Sequence, residues 1–285
     1  MELNFINWLQ SFNTPFLDQF FIYVTMLGEE YFYIFVLSFF YWCVHKEGTR
    51  YFVMILTLSA VANSALKEIV NSARPFQVAS VRALRIETAT GSSFPSGHTQ
   101  TATAFYGTLA FKFKNIWLTI GCVIIVLLVA LSRIYLGVHW PRDVIGAIVF
   151  GILSIVIVHK INAVEEKQGI SWPYYAVISV VIMSLFFLHS ETFIKATGAF
   201  LGFALGFLIE DHYVKFDVRA DGFAQIIKFV LGIIITLAIF EGSKIILPEL
   251  IFFTFLRYFM TIFSVVAIVP WIFVKLNLSR HRIFS

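Results

Sequence analysis

Long apolar runs are the feature that most constrains how this chain can fold. One of them, IWLTIGCVIIVLLVALSRIY from residue 116, contains a single charged side chain. A helix of about 20 apolar residues crosses the hydrocarbon core of a bilayer. Only 13% of the 285 residues are charged and the mean hydropathy is +0.84, whereas a soluble domain carries roughly 25% charge. The sequence therefore predicts an all-α fold, a polytopic helix bundle integral to a membrane.

The hydropathy pattern predicts about nine membrane-spanning helices. They lie near residues 28–44, 51–71, 98–112, 116–136, 142–160, 173–189, 194–209, 224–246 and 251–275. The span at 98–112 is short, so we expect it to begin below the membrane surface. Gly198, Gly202 and Gly206 lie at four-residue spacing, which predicts close packing of one helix against another.

The first 27 residues are less apolar than the predicted spans. Asn, Gln and Asp interrupt the apolar residues of MELNFINWLQSFNTPFLDQFF, a pattern typical of an amphipathic helix at the membrane interface. No basic stretch precedes an apolar run, so residues 1–27 are not expected to be a signal peptide. A tenth span is the alternative interpretation of this segment.

The positions of Lys and Arg predict the orientation of the spans. Basic residues favour cytoplasmic loops. Basic residues occur in the connections at 45–50, 112–114, 159–168, 210–222 and 275–285. That assignment leaves the N-terminus outside and the C-terminus in the cytoplasm. Five arginines in the opposite loops break the rule and need another explanation: Arg74, Arg82, Arg85, Arg133 and Arg142.

The first polar cluster of the external loops is KEIVNSARP, residues 67–75. Lys67, Asn71 and Arg74 repeat at helical spacing, and Pro75 ends the helix. One helix face therefore carries two cations to the external surface. The alternative is that both side chains extend from the helix end to the lipid headgroups.

The second cluster is the PSGH turn, Pro95 to His98, which immediately precedes the short span. A helix N-terminus presents free backbone N–H groups and the positive end of a dipole, and both attract an anion. Ser96 adds a hydroxyl donor beside the Gly97 amide. The alternative is an ordinary helix cap.

The third cluster is SRIYLGVHWPRD, residues 132–143. Pro141 favours the first turn of a new helix, and His139 lies four residues before Asp143. One helical turn can bring this carboxylate to the imidazole, which fixes the tautomer and leaves the second ring nitrogen basic. The alternative is a His–Asp pair with a structural role at the interface.

Together, the three clusters predict an anion site. Five groups would bind the anion: Lys67, Arg74, Ser96, Gly97 and Arg133. A metal site is not expected, because divalent ions in phosphatases require several carboxylates and the clusters supply essentially Asp143 alone. The net charge of +4 is small and scattered along the chain, so no nucleic-acid partner is expected.

The two histidines of the clusters differ in their neighbours. His139 has Asp143, whereas His98 has no carboxylate nearby in sequence. A two-step phosphoryl transfer requires this asymmetry: a carboxylate-supported imidazole attacks phosphorus, and an unsupported imidazolium protonates the leaving oxygen. We therefore expect no carboxylate beside His98, since one would make the proton donor too basic.

The three clusters resemble the signature of the type-2 phosphatidic acid phosphatase superfamily, which includes vanadium haloperoxidases and glucose-6-phosphatase. The pattern Lys-x6-Arg-Pro, Pro-Ser-Gly-His and Ser-Arg-x5-His-x3-Asp is filled in order. The motifs cover about residues 50–160. With the hydropathy pattern, they predict a phosphatase core at 28–160 and a C-terminal extension of about four transmembrane helices at 161–285.

The resemblance implies a role for each motif residue. His139 would be the nucleophile that forms a phosphohistidine, and Asp143 would orient it. His98 would be the general acid and then the base that activates water. Phosphate would be bound by Lys67, Arg74, Ser96, Gly97 and Arg133. The family works without metal, so no cofactor is expected.

The resemblance also bounds the substrate. We expect a lipid phosphate, first of all undecaprenyl diphosphate, hydrolysed at the extracytoplasmic side of a bacterial cell membrane. Phosphatidate, phosphatidylglycerol phosphate and sphingoid phosphates remain open alternatives. A lipid transporter or binding module that keeps the anion site without turnover is the alternative outside the enzymes. The oligomeric state is left open.

Overall fold

The computed structural model describes residues 1–168 and 172–279. The chain is 79% helical, and the predicted all-α class is confirmed over the described residues. The α-helices there are α1 Glu2–Gln10, α2 Pro15–Met26, α3 Glu30–Cys43, α4 Lys46–Val70, α5 Pro75–Val78, α6 Gly97–Phe113, α7 Ile116–Tyr135, α8 Pro141–Gln168, α9 Trp172–Ser184, α10 Glu191–Ile209, α11 Gly222–Ile246, α12 Ile251–Phe263 and α13 Val269–Lys275. π-helical turns Glu210–Val214 and Ser264–Ile268 continue α10 and α12.

Within residues 1–168 and 172–279, six helical stretches are long and apolar enough to cross a membrane. They are Lys46–Val78, Ile116–Tyr135, Pro141–Lys167, Glu191–Val214, Gly222–Ile246 and Ile251–Lys275. A seventh is obtained if α2 and α3, which are bent by 45° relative to each other, count as one span. Each of the six coincides with a span predicted from the sequence.

The prediction of about nine spans is not confirmed. The predicted spans at 28–44, 98–112 and 173–189 correspond to α3, α6 and α9, which have 14, 17 and 13 residues. At 1.5 Å per residue, even 17 residues extend only about 25 Å, less than the roughly 30 Å of hydrocarbon in a bilayer. Hydropathy records the apolar character of these segments but not the points at which their helices end.

The chain divides into two compact units. The first contains Met1–Phe32 and Leu58–Ile170, and the second contains Tyr33–Thr57 and Ser171–Ser285. All eight predicted site residues lie in the first unit.

Two short N-terminal helices belong to the first unit. α1 buries Ile6 against a cluster on α7 and α8 that includes Ile134 and Trp140. α2 packs on α7, where the rings of Phe21 and Tyr135 lie 4.4 Å apart. The predicted single amphipathic helix is therefore two helices, and a turn at 27–29 connects α2 to α3. The interfacial position stays a prediction.

The centre of the first unit is α6, which packs against α7 and α8. The approach of α8 is close because α8 carries glycines at the contact. A Cβ added at Gly151 would lie 2.7 Å from Cβ of Thr103, and one added at Gly146 would lie 2.4 Å from the ring of Phe94. This packing fixes the N-terminal ends of α6 and α8 next to each other.

In the second unit, α10 packs along α12 through the predicted glycine face. A Cβ added at Gly198 would lie 2.6 Å from the Phe255 carbonyl oxygen, and one added at Gly202 would lie 2.3 Å from that of Phe259. The prediction of close helix packing at these glycines is confirmed.

Gly202→Ala is expected to destabilise the protein. The added methyl group would overlap the Phe259 backbone, which cannot rotate away, and overpacking of this kind costs about 1–3 kcal/mol. At roughly 2–4 °C per kcal/mol, we expect the apparent melting temperature in detergent to fall by about 5 °C. Gly242→Ala is the matched control, because a Cβ there meets no atom of the described chain within 4 Å. Equal melting temperatures for the two variants would contradict the packing role of Gly202.

Candidate active site

Asp143 lies in the first turn of α8 and anchors the site. Its Oδ2 accepts hydrogen bonds from the Trp140 amide at 2.8 Å, from the Ser93 hydroxyl and from His139 Nδ1 at 3.4 Å. The carboxylate is fully buried and His139 is 2% exposed. The predicted contact between imidazole and carboxylate is therefore present in the structure.

Arg74 defines the tautomer of His139. Its Nη1 lies 3.2 Å from His139 Nε2, and a guanidinium can only donate. His139 Nε2 is therefore the acceptor and carries the lone pair, so the ring proton resides on Nδ1, which faces Asp143. A lone pair on Nε2 is what a nucleophilic imidazole requires.

The other donors of Arg74 hold the loop that precedes the PSGH turn. Nε and Nη2 donate to the carbonyl oxygens of Thr90, Gly91 and Ser92 in this loop, and Nη1 also donates to the Val138 carbonyl next to His139. Lys67, on the last turn of α4, donates from Nζ to the Ser92 carbonyl as well. The two cations of the first motif thus converge beside His139.

The PSGH turn forms the N-terminus of α6. Ser96 is the N-cap and makes no capping hydrogen bond with its side chain among the described residues. Its Oγ accepts from Thr99 Oγ1 at 3.1 Å, and its backbone N–H donates to the Asp143 carbonyl at 3.1 Å. The turn is thereby tied to the start of α8. That the Ser96 hydroxyl and the Gly97 amide donate to an anion stays a prediction.

Arg133, the last basic residue of α7, is fully buried in the same unit. Nη1 donates to Thr25 Oγ1 at 2.8 Å, and both terminal nitrogens lie 3.4 Å from Thr88 Oγ1. Its Nε finds no hydrogen-bond partner within the described chain. Its hydrogen-bond partners are neutral hydroxyls, so an anion beside it would add stronger, charge-assisted hydrogen bonds.

Burial and nearby basic groups lower the pKa of His139. Burial lowers it well below its usual value, and the basic side chains of Arg74, Arg133, Lys67 and His98 lower it further. These groups come from all three motifs and act on one imidazole. The ring is therefore neutral, and its Nε2 lone pair is available, at physiological pH.

The expectation that His98 has no carboxylate beside it is wrong. Glu29 Oε1 lies 4.0 Å from His98 Nε2. Glu29 is 69 residues earlier, in the turn between α2 and α3, so inspection of the neighbouring sequence could not reveal it. Two adjacent acids, Glu29 and Glu30, at the start of the predicted span 28–44 were the available signal.

Sequence reasoning also missed neutral side chains that support the motifs. Thr25 and Thr88 hold Arg133, and Ser93 holds Asp143. Asn63 donates to the Pro95 carbonyl at 3.4 Å and to Gln100 Oε1 at 2.8 Å. Ser and Thr are too common for such partners to be found without the fold.

The arginines that break the charge rule all have partners. Arg74 and Arg133 line the site. Arg82 forms a bidentate ion pair with Asp18, and Arg142 forms an ion pair with Glu2 at 2.7 Å. Arg85 pairs with Glu29 at 2.9 Å. These contacts connect the N-terminal helices to the loops of the site, which explains the arginines without reference to membrane orientation.

Two family profiles match the chain. Residues 48–166 match the PAP2 superfamily, and residues 194–281 match the transmembrane extension of PAP2 superfamily phosphatases. The chain contains a PAP2 superfamily domain. The first match contains all three motifs, and the second covers α10 to α13 of the PAP2 chain.

Curated relatives of this PAP2 protein carry different substrate names. Sphingosine-1-phosphate phosphatase 1 of Rattus norvegicus is 28% identical over 189 residues, 62% of this chain and 43% of that protein. Undecaprenyl-diphosphatase BcrC of Bacillus subtilis is 29% identical over 147 residues, 50% of this chain and 74% of that protein. The chain spans less than half the length of the sphingosine-1-phosphate phosphatases that it matches.

Two solved structures are similar to the PAP2 protein. LpxE of Aquifex aeolicus is 27% identical with a TM-score of 0.50, covering 56% of this chain and 94% of that one. A PAP2-type phosphatidylglycerolphosphate phosphatase of Bacillus subtilis, 24% identical with a TM-score of 0.50, covers 59% and 87%. The second likeness supports the fold alone.

Proposed function

We propose that this protein is a metal-independent membrane lipid phosphatase that acts through a phosphohistidine on His139. The observation that carries the proposal is the polarised imidazole: Nδ1 faces the buried Asp143, and Nε2 faces Arg74 at 3.2 Å. A binding site needs cations but no oriented nucleophile, so this arrangement favours turnover over simple capture of a lipid phosphate.

In the first step, His139 Nε2 attacks phosphorus. Arg74 now donates to a phosphate oxygen in place of Nε2, which frees the lone pair for the attack. The N–P bond forms as the P–O bond to the leaving group breaks, and the leaving oxygen takes a proton from His98. Lys67 and Arg133 with the Ser96–Gly97 turn stabilise the charge on the equatorial oxygens.

In the second step, water attacks the phosphohistidine. His98, now neutral, removes a proton from the water as the O–P bond forms. The N–P bond breaks, its electron pair returns to Nε2, and inorganic phosphate leaves. Protonated His98 and neutral His139 are regenerated. No step needs a metal ion, because the three cations supply the positive charge.

Undecaprenyl diphosphate is the substrate that we place first. Two of the curated relatives are named undecaprenyl-diphosphatases, and the site lies in a unit that contains helices apolar enough to cross a membrane. We place the site at the extracytoplasmic side of a bacterial cell membrane. Attack on the terminal phosphorus would release undecaprenyl phosphate.

A long-chain base phosphate is the second candidate. The match to rat sphingosine-1-phosphate phosphatase 1 extends over 62% of this chain, against 50% for BcrC. The longer alignment with sphingosine-1-phosphate phosphatase 1 favours a phosphomonoester of a long-chain base as the substrate. Phosphatidate and phosphatidylglycerol phosphate are also lipid phosphomonoesters, so the same assay should include them.

Purified protein in detergent with EDTA tests the proposal. Phosphate release is measured side by side from undecaprenyl diphosphate, sphingosine 1-phosphate, phosphatidate and phosphatidylglycerol phosphate. We expect release with EDTA present and the highest kcat/KM for undecaprenyl diphosphate. A higher kcat/KM for sphingosine 1-phosphate would favour the second candidate. Tight binding of these lipids with no release would indicate a transporter or binding module instead.

A further inference from the structure

The turn between α2 and α3 packs against His98. A Cβ added at Gly28 would lie 2.9 Å from the His98 carbonyl oxygen, 3.0 Å from the His98 Cβ and 3.0 Å from Cγ1 of Val129. The backbone of the turn therefore contacts His98 without space for a side chain at Gly28. This contact places the next residue, Glu29, beside the imidazole.

Two buried polar atoms face each other at this contact. His98 Nε2 and Glu29 Oε1 are 4.0 Å apart, and neither forms an aligned hydrogen bond within the described residues. Arg85 Nη2 forms an ion pair with the same Oε1 at 2.9 Å. The two side chains are only 14% and 16% exposed. A shift of about 1 Å brings the His98–Glu29 pair to hydrogen-bond distance.

We propose that Glu29 is a positioning residue that holds the imidazolium of His98 toward the leaving group. This role rests on the proposed function. An imidazolium has two N–H groups. The one on Nε2 donates to Glu29, so the proton given to the leaving oxygen is the one on Nδ1. After the transfer, the Nε2–H stays on Glu29, and the Nδ1 lone pair is available to accept a proton from water.

The charges around His98 support the proposal. His98 lies outside the six candidate spans. Burial and then Arg133 lower its pKa to about 4, Arg85 lowers it as well, and Glu29 raises it. Glu29 thus limits the fall of the His98 pKa and favours the protonated imidazole that donates the proton. A phosphate dianion in the pocket adds negative charge and favours the imidazolium in the same direction.

Glu29→Gln tests this role, with Glu30→Gln as the matched control on an exposed position one residue later. We measure kcat/KM for two monoesters. Dodecyl phosphate has an alkoxide leaving group that needs a proton, whereas 4-nitrophenyl phosphate has a phenolate that leaves without one. Because general acid catalysis contributes about 10²–10⁴, we expect a fall of at least about tenfold with dodecyl phosphate only. Glu30→Gln should match the wild type on both.

The pH profile gives a second readout. Without the Glu29 charge, Arg85 and Arg133 act unopposed on His98, so its pKa falls further. The alkaline limb of kcat/KM for dodecyl phosphate should therefore move to lower pH in Glu29→Gln. Equal losses on the two esters, or an unmoved alkaline limb, would overturn the positioning role and leave the phosphatase intact. No phosphate release by the wild type from any lipid or ester would overturn the proposed function and this role with it.

Discussion

Replacing His139 with alanine is expected to reduce phosphate release by at least about 10⁴-fold, because the variant has no atom with which to form the covalent intermediate. A water molecule in the space of the imidazole is a weaker nucleophile and lacks the support of Asp143. The cations would still bind phosphate, so KM should change much less than kcat. The variant separates the chemical step from binding.

The measurement is phosphate release by purified wild type and variant, together with trapping of a radiolabelled intermediate. Phosphohistidine is stable in alkali and labile in acid, so an alkaline quench should retain label on the wild type and none on His139→Ala. His159→Ala is the matched control, since this histidine is exposed at the far end of α8. Residual activity above one per cent in His139→Ala would show that a different residue attacks phosphorus.

Asp143→Asn is expected to reduce kcat by about 10³–10⁴-fold while leaving the fold intact. Oδ2 accepts from Trp140 N, Ser93 Oγ and His139 Nδ1. An amide oxygen can keep these contacts but no longer supplies the negative charge that stabilises the imidazolium-like nucleophile. If the amide rotates, its NH₂ faces three donors, and His139 adopts the other tautomer. Loss of an orienting carboxylate in a comparable triad costs about 10⁴.

The prediction is checked by kcat and KM with the best lipid substrate, and by the melting temperature. Asp221→Asn, at an exposed position before α11, makes the same chemical change away from the site and should be silent. A melting temperature within about 2 °C of the wild type would assign the loss to chemistry. Full activity in Asp143→Asn would mean that the backbone alone orients His139.

Much of the helical framework could be predicted from the sequence, because an apolar run of 20 or more residues has few alternatives in a bilayer. Ile116–Tyr135 is within one residue of the predicted span, and Gly222–Ile246 differs only at its start. The count failed where apolar segments contain helix ends. α3 begins after the turn at 27–29, and α9 ends at Ser184 within a run that is still apolar. Hydropathy cannot locate such ends.

The site could be predicted as far as local spacing determines geometry. The four-residue step from His139 to Asp143 fixes their contact within one helical turn. Convergence of Lys67, Arg74 and Arg133 was inferred from chemistry alone, and the structure brings them into one unit. The contact of Glu29 with His98 could not be predicted, because it depends on the tertiary path of α2, which no local pattern records. The catalytic roles themselves stay predictions until the variants are measured.

The hydrogen bonds that the Ser92 carbonyl accepts bear on how long inorganic phosphate would remain bound. It accepts hydrogen bonds from both Lys67 and Arg74, so it occupies the donors that an anion would use. An arriving phosphate oxygen would exchange these bonds for new ones, and its departure would allow the old ones to re-form. Exchange of this kind yields a small net gain, about 0.5–1.5 kcal/mol for a typical hydrogen bond. Under the proposed function, this exchange would weaken the retention of inorganic phosphate by the three cations and favour its release.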